Sequence, residues 1–143
     1  MINGYQISNQ YNDMDFTLIH RTLANTYWAK NIPVSTMQTA MKNSRCFGVF
    51  LPSKEQVAFA RIITDHATFA YLSDVFVLAE HRGKGLSKWL LDFIFQQPNL
   101  QGLRRMLLAT SDAHGLYKKL GFSSLTTPET FMEKHQPDVY HQV

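Results

Sequence analysis

Only one cysteine, Cys46, occurs in the 143 residues. No internal disulfide can staple the chain, so its stability has to come from an apolar core. Uninterrupted apolar runs long enough to cross a bilayer are also missing, which excludes an ordinary transmembrane helix. The opening residues, MINGYQISNQYND, have neither the basic nor the apolar stretch of a secretory signal. With a lone thiol, this predicts a reducing, cytoplasmic setting. Charged residues make up 17% of the chain and apolar residues 45%, a balance that excludes a disordered chain and suits one domain over 1–143. The histidines, His20, His66, His81, His114, His135 and His141, fall at no metal-ligand spacing, so no metal is expected. Net charge is +3. The basic residues are scattered, apart from a cluster at Arg82, Lys84 and Lys88. That distribution predicts a small anionic ligand at the cluster and no nucleic-acid partner.

What is present is concentrated in Val75–Leu91, VFVLAEHRGKGLSKWLL. The segment reads as a strand, a basic glycine-rich turn and an amphipathic helix. Gly83 and Gly85 let a ligand come close to the main chain. The free N–H groups and partial positive charge of the helix start favour a pyrophosphate. The spacing is not that of the ATP-type phosphate loop, because Lys84-Gly85 is followed by Leu86. A dinucleotide fingerprint would need a third glycine and a ribose-binding acid further on.

Arg82-Gly83-Lys84-Gly85-Leu86-Ser87 resembles Arg/Gln-x-x-Gly-x-Gly/Ala, the acetyl-CoA pyrophosphate loop of the GNAT superfamily of N-acetyltransferases, with Ser87 in place of the last small residue. About thirty residues on, Ala113-His114-Gly115-Leu116-Tyr117-Lys118-Lys119-Leu120-Gly121-Phe122 resembles that family's second signature, Ala-x-x-x-Tyr-x-x-x-Gly-Phe. Thr110 stands where the family often has asparagine. The likeness runs from about Met14 to Phe122.

The rest of the chain divides by periodicity. Tyr5–Gln10 alternates as a first strand. Asp13 or Asp15 caps a helix whose face is Phe16, Ile19, Leu23 and Tyr27. Pro33 breaks it, and a second helix spans about Ser35–Asn43 with Met37 and Met41 one turn apart. Cys46–Leu51 and Val57–Thr64 read as a hairpin, and Ala67–Leu78 as a long strand. Leu86, Trp89, Leu90, Phe93 and Ile94 form a helical stripe. Met106–Ala109 reads as a strand, Ala113–Leu120 as a helix stopped by Gly121. Phe122–Leu125 and Thr130–Lys134 read as two further strands. The order predicts one mixed α/β sheet with helices on both faces. The resemblance implies the GNAT form of it: six to seven mostly antiparallel strands, splayed centrally, with about four helices. The strand Thr130–Lys134 and the tail 137–143 are compatible with a monomer or a homodimer.

The resemblance also implies a division of labour. Acetyl-CoA would be held by Arg82, Gly83, Lys84, Gly85, Leu86 and Ser87, by the main chain of Val75, Phe76 and Val77, and by Thr110. Tyr117 is the candidate general acid for the leaving thiolate, since a phenol near pKa 10 stays protonated at neutral pH. Asp74 either takes the proton of the attacking amine or anchors a cationic substrate. In a regular strand Tyr71 and Ser73 face away from it, and a bulge would reverse that parity. Tyr27 and Trp28 are the candidate acceptor-site residues, with Trp28 expected to be the more exposed. Cys46, in an apolar strand, reads as an inert thiol, so direct transfer in a ternary complex is expected. The implied activity is acetyl transfer from acetyl-CoA to a primary amine of a small molecule; the alternatives are a non-catalytic acyl-CoA-binding module and a transferase acting on a protein N-terminus or lysine.

Overall fold

The computed structural model describes residues 1–141. Its strands are β1 (Gln6–Ser8), β2 (Arg45–Phe50), β3 (Gln56–Thr64), β4 (Phe69–Val77) and β5 (Arg105–Leu107). Its helices are α1 (Phe16–Leu23), α2 (Val34–Lys42), α3 (Leu86–Phe95) and α4 (His114–Lys119). The strands form one sheet in the order β1-β2-β3-β4-β5. The first three pairings are antiparallel and β4–β5 is parallel.

Alternation sorts the sheet's side chains onto two cores. On one face Phe47, Val49, Ala58, Ala60 and Ile62 pack with Leu86, Leu90, Leu91 and Ile94 of α3 and Tyr117 of α4. On the other, Cys46, Phe59 and Phe76 pack with Ile19 and Leu23 of α1 and Met37 and Met41 of α2. The expected stripes are therefore the buried faces, and α1 stops at Leu23, leaving Tyr27 beyond it. Of the two candidate caps, Asp15 accepts from the Leu18 N–H at 3.1 Å, while Asp13 accepts from the Ser8 hydroxyl.

Two irregularities bend the sheet. The first, between Val49 and Phe50, turns on Gln56 and Gly48. The Gln56 amide is buried, donates to the Ala58 carbonyl and accepts from the Asp15 N–H. A Cβ on Gly48 would lie 2.8 Å from that amide and 2.9 Å from the Phe50 ring. The second lies in the β3–β4 pair: Arg61 faces Ser73, but Phe59 faces Phe76, so β4 carries one extra residue. Asp74 sits in that step with φ +59, a left-handed geometry that aspartate tolerates better than most residues.

Among the described residues the sheet has five strands, fewer than the six to seven expected, because the C-terminal segments there form no ladder. Phe122 spends its N–H on the Tyr117 carbonyl at the end of α4. The following Ser123 and Ser124 are exposed and offer no apolar face. Pro128 has no N–H and opens a short 3-10 turn, Pro128–Thr130. Met132 is fully exposed, so 130–134 lacks a buried face as well. A groove of about 440 Å³ lies between β5 and the 120–127 segment. The expected tail pairing over 137–143 ends on two residues outside the described ones. No helix among the described residues is long and apolar enough to cross a membrane.

Candidate active site

The splay lies between β4 and β5. They pair only from Phe69–Arg105 to Tyr71–Leu107, while β4 continues to Val77. Leu72–Val77 is therefore unpaired with β5 and offers main-chain hydrogen-bonding groups to an extended ligand. Val75 and Val77 pack against the α3-side core, and Phe76 stacks obliquely on Phe59 on the other side. Their side chains are structural, which leaves the backbone as the available binding surface.

The basic turn follows at once. Gly83 and Gly85 both adopt left-handed φ, +78 and +79. Gly85 is the N-cap of α3 and offers no side-chain cap, so the first N–H groups of that helix lack intrahelical acceptors. A Cβ on Gly83 would meet nothing within 4 Å, and one on Gly85 only Ile2 at 3.9 Å. The concave main chain is thus open, and its uncapped N–H groups and positive dipole end fit a pyrophosphate. Arg82 Nε donates to the Val77 carbonyl at 2.9 Å, fastening the turn to the end of β4. His81 meets the Tyr5 hydroxyl at 2.8 Å through Nδ1. Leu86 is buried and belongs to the core. Ser87 is in the first turn of α3, and Lys88, the third member of the basic cluster, pairs with Asp92 on the exposed helix surface.

Tyr117 lies on α4, 8% exposed, with its ring edge-on to Phe122. No hydrogen bond reaches its hydroxyl within the described residues, yet no buried side-chain oxygen is left unpaired. The ring is therefore buried while the hydroxyl meets the surface. Burial, helped by the Asp112 carboxylate, raises its pKa above that of an ordinary phenol. Thr110 accepts from the Ala113 N–H at 3.0 Å and supports the start of α4.

Asp74 is buried, and its β4 step turns its carboxylate towards the α1–α2 side. One oxygen accepts from Trp28 Nε1 at 2.9 Å and the other from Arg61 Nε at 2.8 Å. Arg61 continues through Nη1 to the Ser44 hydroxyl at 2.9 Å. Tyr27 and Trp28 stand edge to face, centroids 5.1 Å apart. Tyr27 is 72% exposed and Trp28 45%, so the expected order of exposure is reversed: the bond to Asp74 draws the indole inward. The Tyr27 hydroxyl donates to Ser111 at 3.2 Å, reaching the loop before α4.

Arg61, Ser44 and Ser111 were not among the sequence-derived candidates. Arg61 carried a signal, a lone cation inside the apolar run Val57–Ile63. The serines carried none. Cys46 is buried, donates to the Met41 carbonyl, and has its pKa pushed up to about 11 by burial. A thiol so held is a poor nucleophile.

A family model described as an acetyltransferase (GNAT) domain matches residues 42–124, more than half of the chain. The structure aligns over 99% of the chain, and over all of the other, with the crystal structure of an inferred GNAT-family acetyltransferase from Xanthomonas campestris pv. campestris, at TM-score 0.95 and 51% identity. The inferred acetyltransferase FG08082 of Gibberella zeae is 34% identical over 113 residues, 65% of this chain. The match spans 63% of that relative's own length. An inferred acetyltransferase from Clostridium acetobutylicum, crystallised with acetyl-CoA, shares the fold at TM-score 0.66 and 17% identity over 94% of this chain and 96% of the other. The chain belongs to the GNAT acetyltransferase family.

Proposed function

We propose that this chain, acting as a single domain, transfers an acetyl group from acetyl-CoA to a primary amine of a small molecule by direct attack in a ternary complex. The observation that carries the reading is the open left-handed turn Gly83–Gly85 at the uncapped start of α3, beside the β4 edge that β5 leaves unpaired. Acetyl-CoA supplies a thioester carbonyl that a neutral amine can attack, with the C–S bond breaking to release CoA.

The turn's N–H groups and the Arg82 and Lys84 charges bind the pyrophosphate. The main chain of Val75–Val77 that β5 leaves unpaired aligns the pantetheine arm through the groups other than the Val77 carbonyl, which Arg82 holds, and one of its N–H groups polarises the thioester carbonyl. Thr110 Oγ1 retains its own proton for a further hydrogen bond on the same side. Tyr117 donates its phenolic proton to the departing sulfur, and its raised pKa keeps that proton available at neutral pH. The attacking amine sheds its proton to solvent and the Tyr117 phenolate takes one back from it, so charge and protons balance and the phenol is restored. Tyr27 and Trp28 border the acceptor. The buried, unreactive Cys46 supports transfer without an acetyl-cysteine intermediate.

Titration calorimetry of acetyl-CoA against the wild type and Arg82→Ala/Lys84→Ala tests the reading. Micromolar binding, weakened about 10- to 100-fold in the double variant, is expected. CoA release in the presence of primary amines then measures turnover. No binding by the wild type would remove the transferase reading and leave Gly83–Gly85 as an ordinary helix start.

A further inference from the structure

Resting on the transferase reading, we infer that Asp74 and Arg61 position the Trp28 indole as a cation-binding wall, and that the acceptor is an amine carrying a second cationic group. The side chains of Asp74 and Arg61 are only 6% and 13% exposed. Both Asp74 oxygens already accept, one from Trp28 and one from Arg61. The buried carboxylate is thus committed to holding two side chains, one on each oxygen. The extra residue in β4 and the left-handed backbone at Asp74 are what bring the carboxylate to Trp28 at all. In an unbulged strand it would share the face of Leu72, which packs on the α3 side.

The consequence falls on Trp28. Its ring is nearly half exposed, but its N–H is anchored, so the indole is held in one orientation at a solvent-facing position. An indole whose N–H is bonded to a carboxylate presents an electron-rich face, and aromatic faces attract ammonium and guanidinium groups. Tyr27 stands against it and is tied to Ser111. The next residue, Asp112, is exposed and lies within electrostatic reach of Tyr117. An anchored aromatic pair is therefore tied to the loop that leads into α4, and a carboxylate of that loop lies near the proposed acid; a second positive charge on the acceptor would be held there.

Steady-state acetylation of 1,4-diaminobutane and of butylamine, chains of equal carbon length, tests this in the wild type, Trp28→Phe, Trp28→Leu and Asp74→Asn. The wild type is expected to show about a tenfold lower KM for the diamine, the size of one cation–aromatic contact. Trp28→Leu should abolish that preference, and Trp28→Phe should retain part of it. Asp74→Asn should raise the diamine KM while leaving the shape of the kcat pH profile unchanged, and should shift one of the two indole N–H resonances in a ¹⁵N spectrum. Equal KM values for the two amines in the wild type would overturn the inference. So would an Asp74→Asn enzyme with unchanged KM, a large loss of kcat and a lost limb in its pH profile, since that is a proton-taking role. If the wild type binds acetyl-CoA and acetylates neither amine, the inference falls and the cofactor half of the transferase reading stands. If it binds no acetyl-CoA, the transferase reading itself has failed.

Discussion

The two ends of the candidate site are built from different material. The proposed phosphate end is a contiguous run, Arg82–Ser87, and the groups it would offer are mostly main-chain N–H groups beside two left-handed glycines. The proposed acceptor end is assembled from side chains on Tyr27, Trp28, Arg61, Asp74 and Ser111, joined across as many as 84 positions of sequence. A cradle made of backbone tolerates side-chain variation so long as the glycines remain. A wall made of side chains can change its selectivity through a single substitution. One end therefore suits a ligand shared by many enzymes and the other a ligand peculiar to one.

The sharpest way to test that division is at Tyr117, which lies between the two ends in role. Tyr117→Phe should lower kcat roughly 100- to 10,000-fold, the usual contribution of a general acid, while acetyl-CoA affinity measured by calorimetry stays within about twofold. Normal turnover would mean that Tyr117 serves only packing. At the phosphate end, Gly85→Ala should weaken acetyl-CoA about tenfold, because an alanine at φ +79 costs roughly 1–2 kcal/mol and so favours a turn other than the binding one. An acceptor KM that moved in step with acetyl-CoA affinity would break the separation of the two ends.

A third substitution supplies the contrast away from the site. Gly48→Ala forces a Cβ to within 2.8 Å of the Gln56 amide. It should cost about 1–3 kcal/mol in urea unfolding and leave both ligand constants of the folded protein unchanged. The smallest effect expected is on pH. Burial raises the Tyr117 pKa, so the phenol keeps its proton past the ordinary value near 10, and kcat should fall only on the alkaline side of that value. Asp112→Asn removes the lesser of the two causes, so the alkaline limb of kcat should move slightly to lower pH. A shift to higher pH would reverse the assigned sign.

The same contrast explains which parts of the molecule could be read from the chain. The Gly83–Gly85 turn, the stripe Leu86–Leu90–Ile94 and the pair Met37–Met41 are local patterns whose burial follows from period alone. The step at Asp74 is not local. It depends on β3 and β4 disagreeing by one residue, which only the register reveals. The inward pull on Trp28 is not legible locally either, because its anchor, Asp74, lies 46 residues away. Phe122–Leu125 and Thr130–Lys134 have strand-like character in the sequence, but a strand also needs a face to bury and a partner to receive its N–H groups. Phe122 gives its N–H to α4, and the serines after it have nothing to bury.

The thiol of Cys46 has a practical consequence for all of these measurements. Its sulfur lies inside the α1–α2 core, and burial pushes its pKa up to about 11, so at pH 8 the group is held as the unreactive thiol. A disulfide reagent added to a reaction would therefore colour with released CoA and leave the folded enzyme silent, so turnover can be followed continuously without a protein blank. The same reagent added without substrate becomes a clock for opening of that core, since it can react only when the helices lift from the sheet.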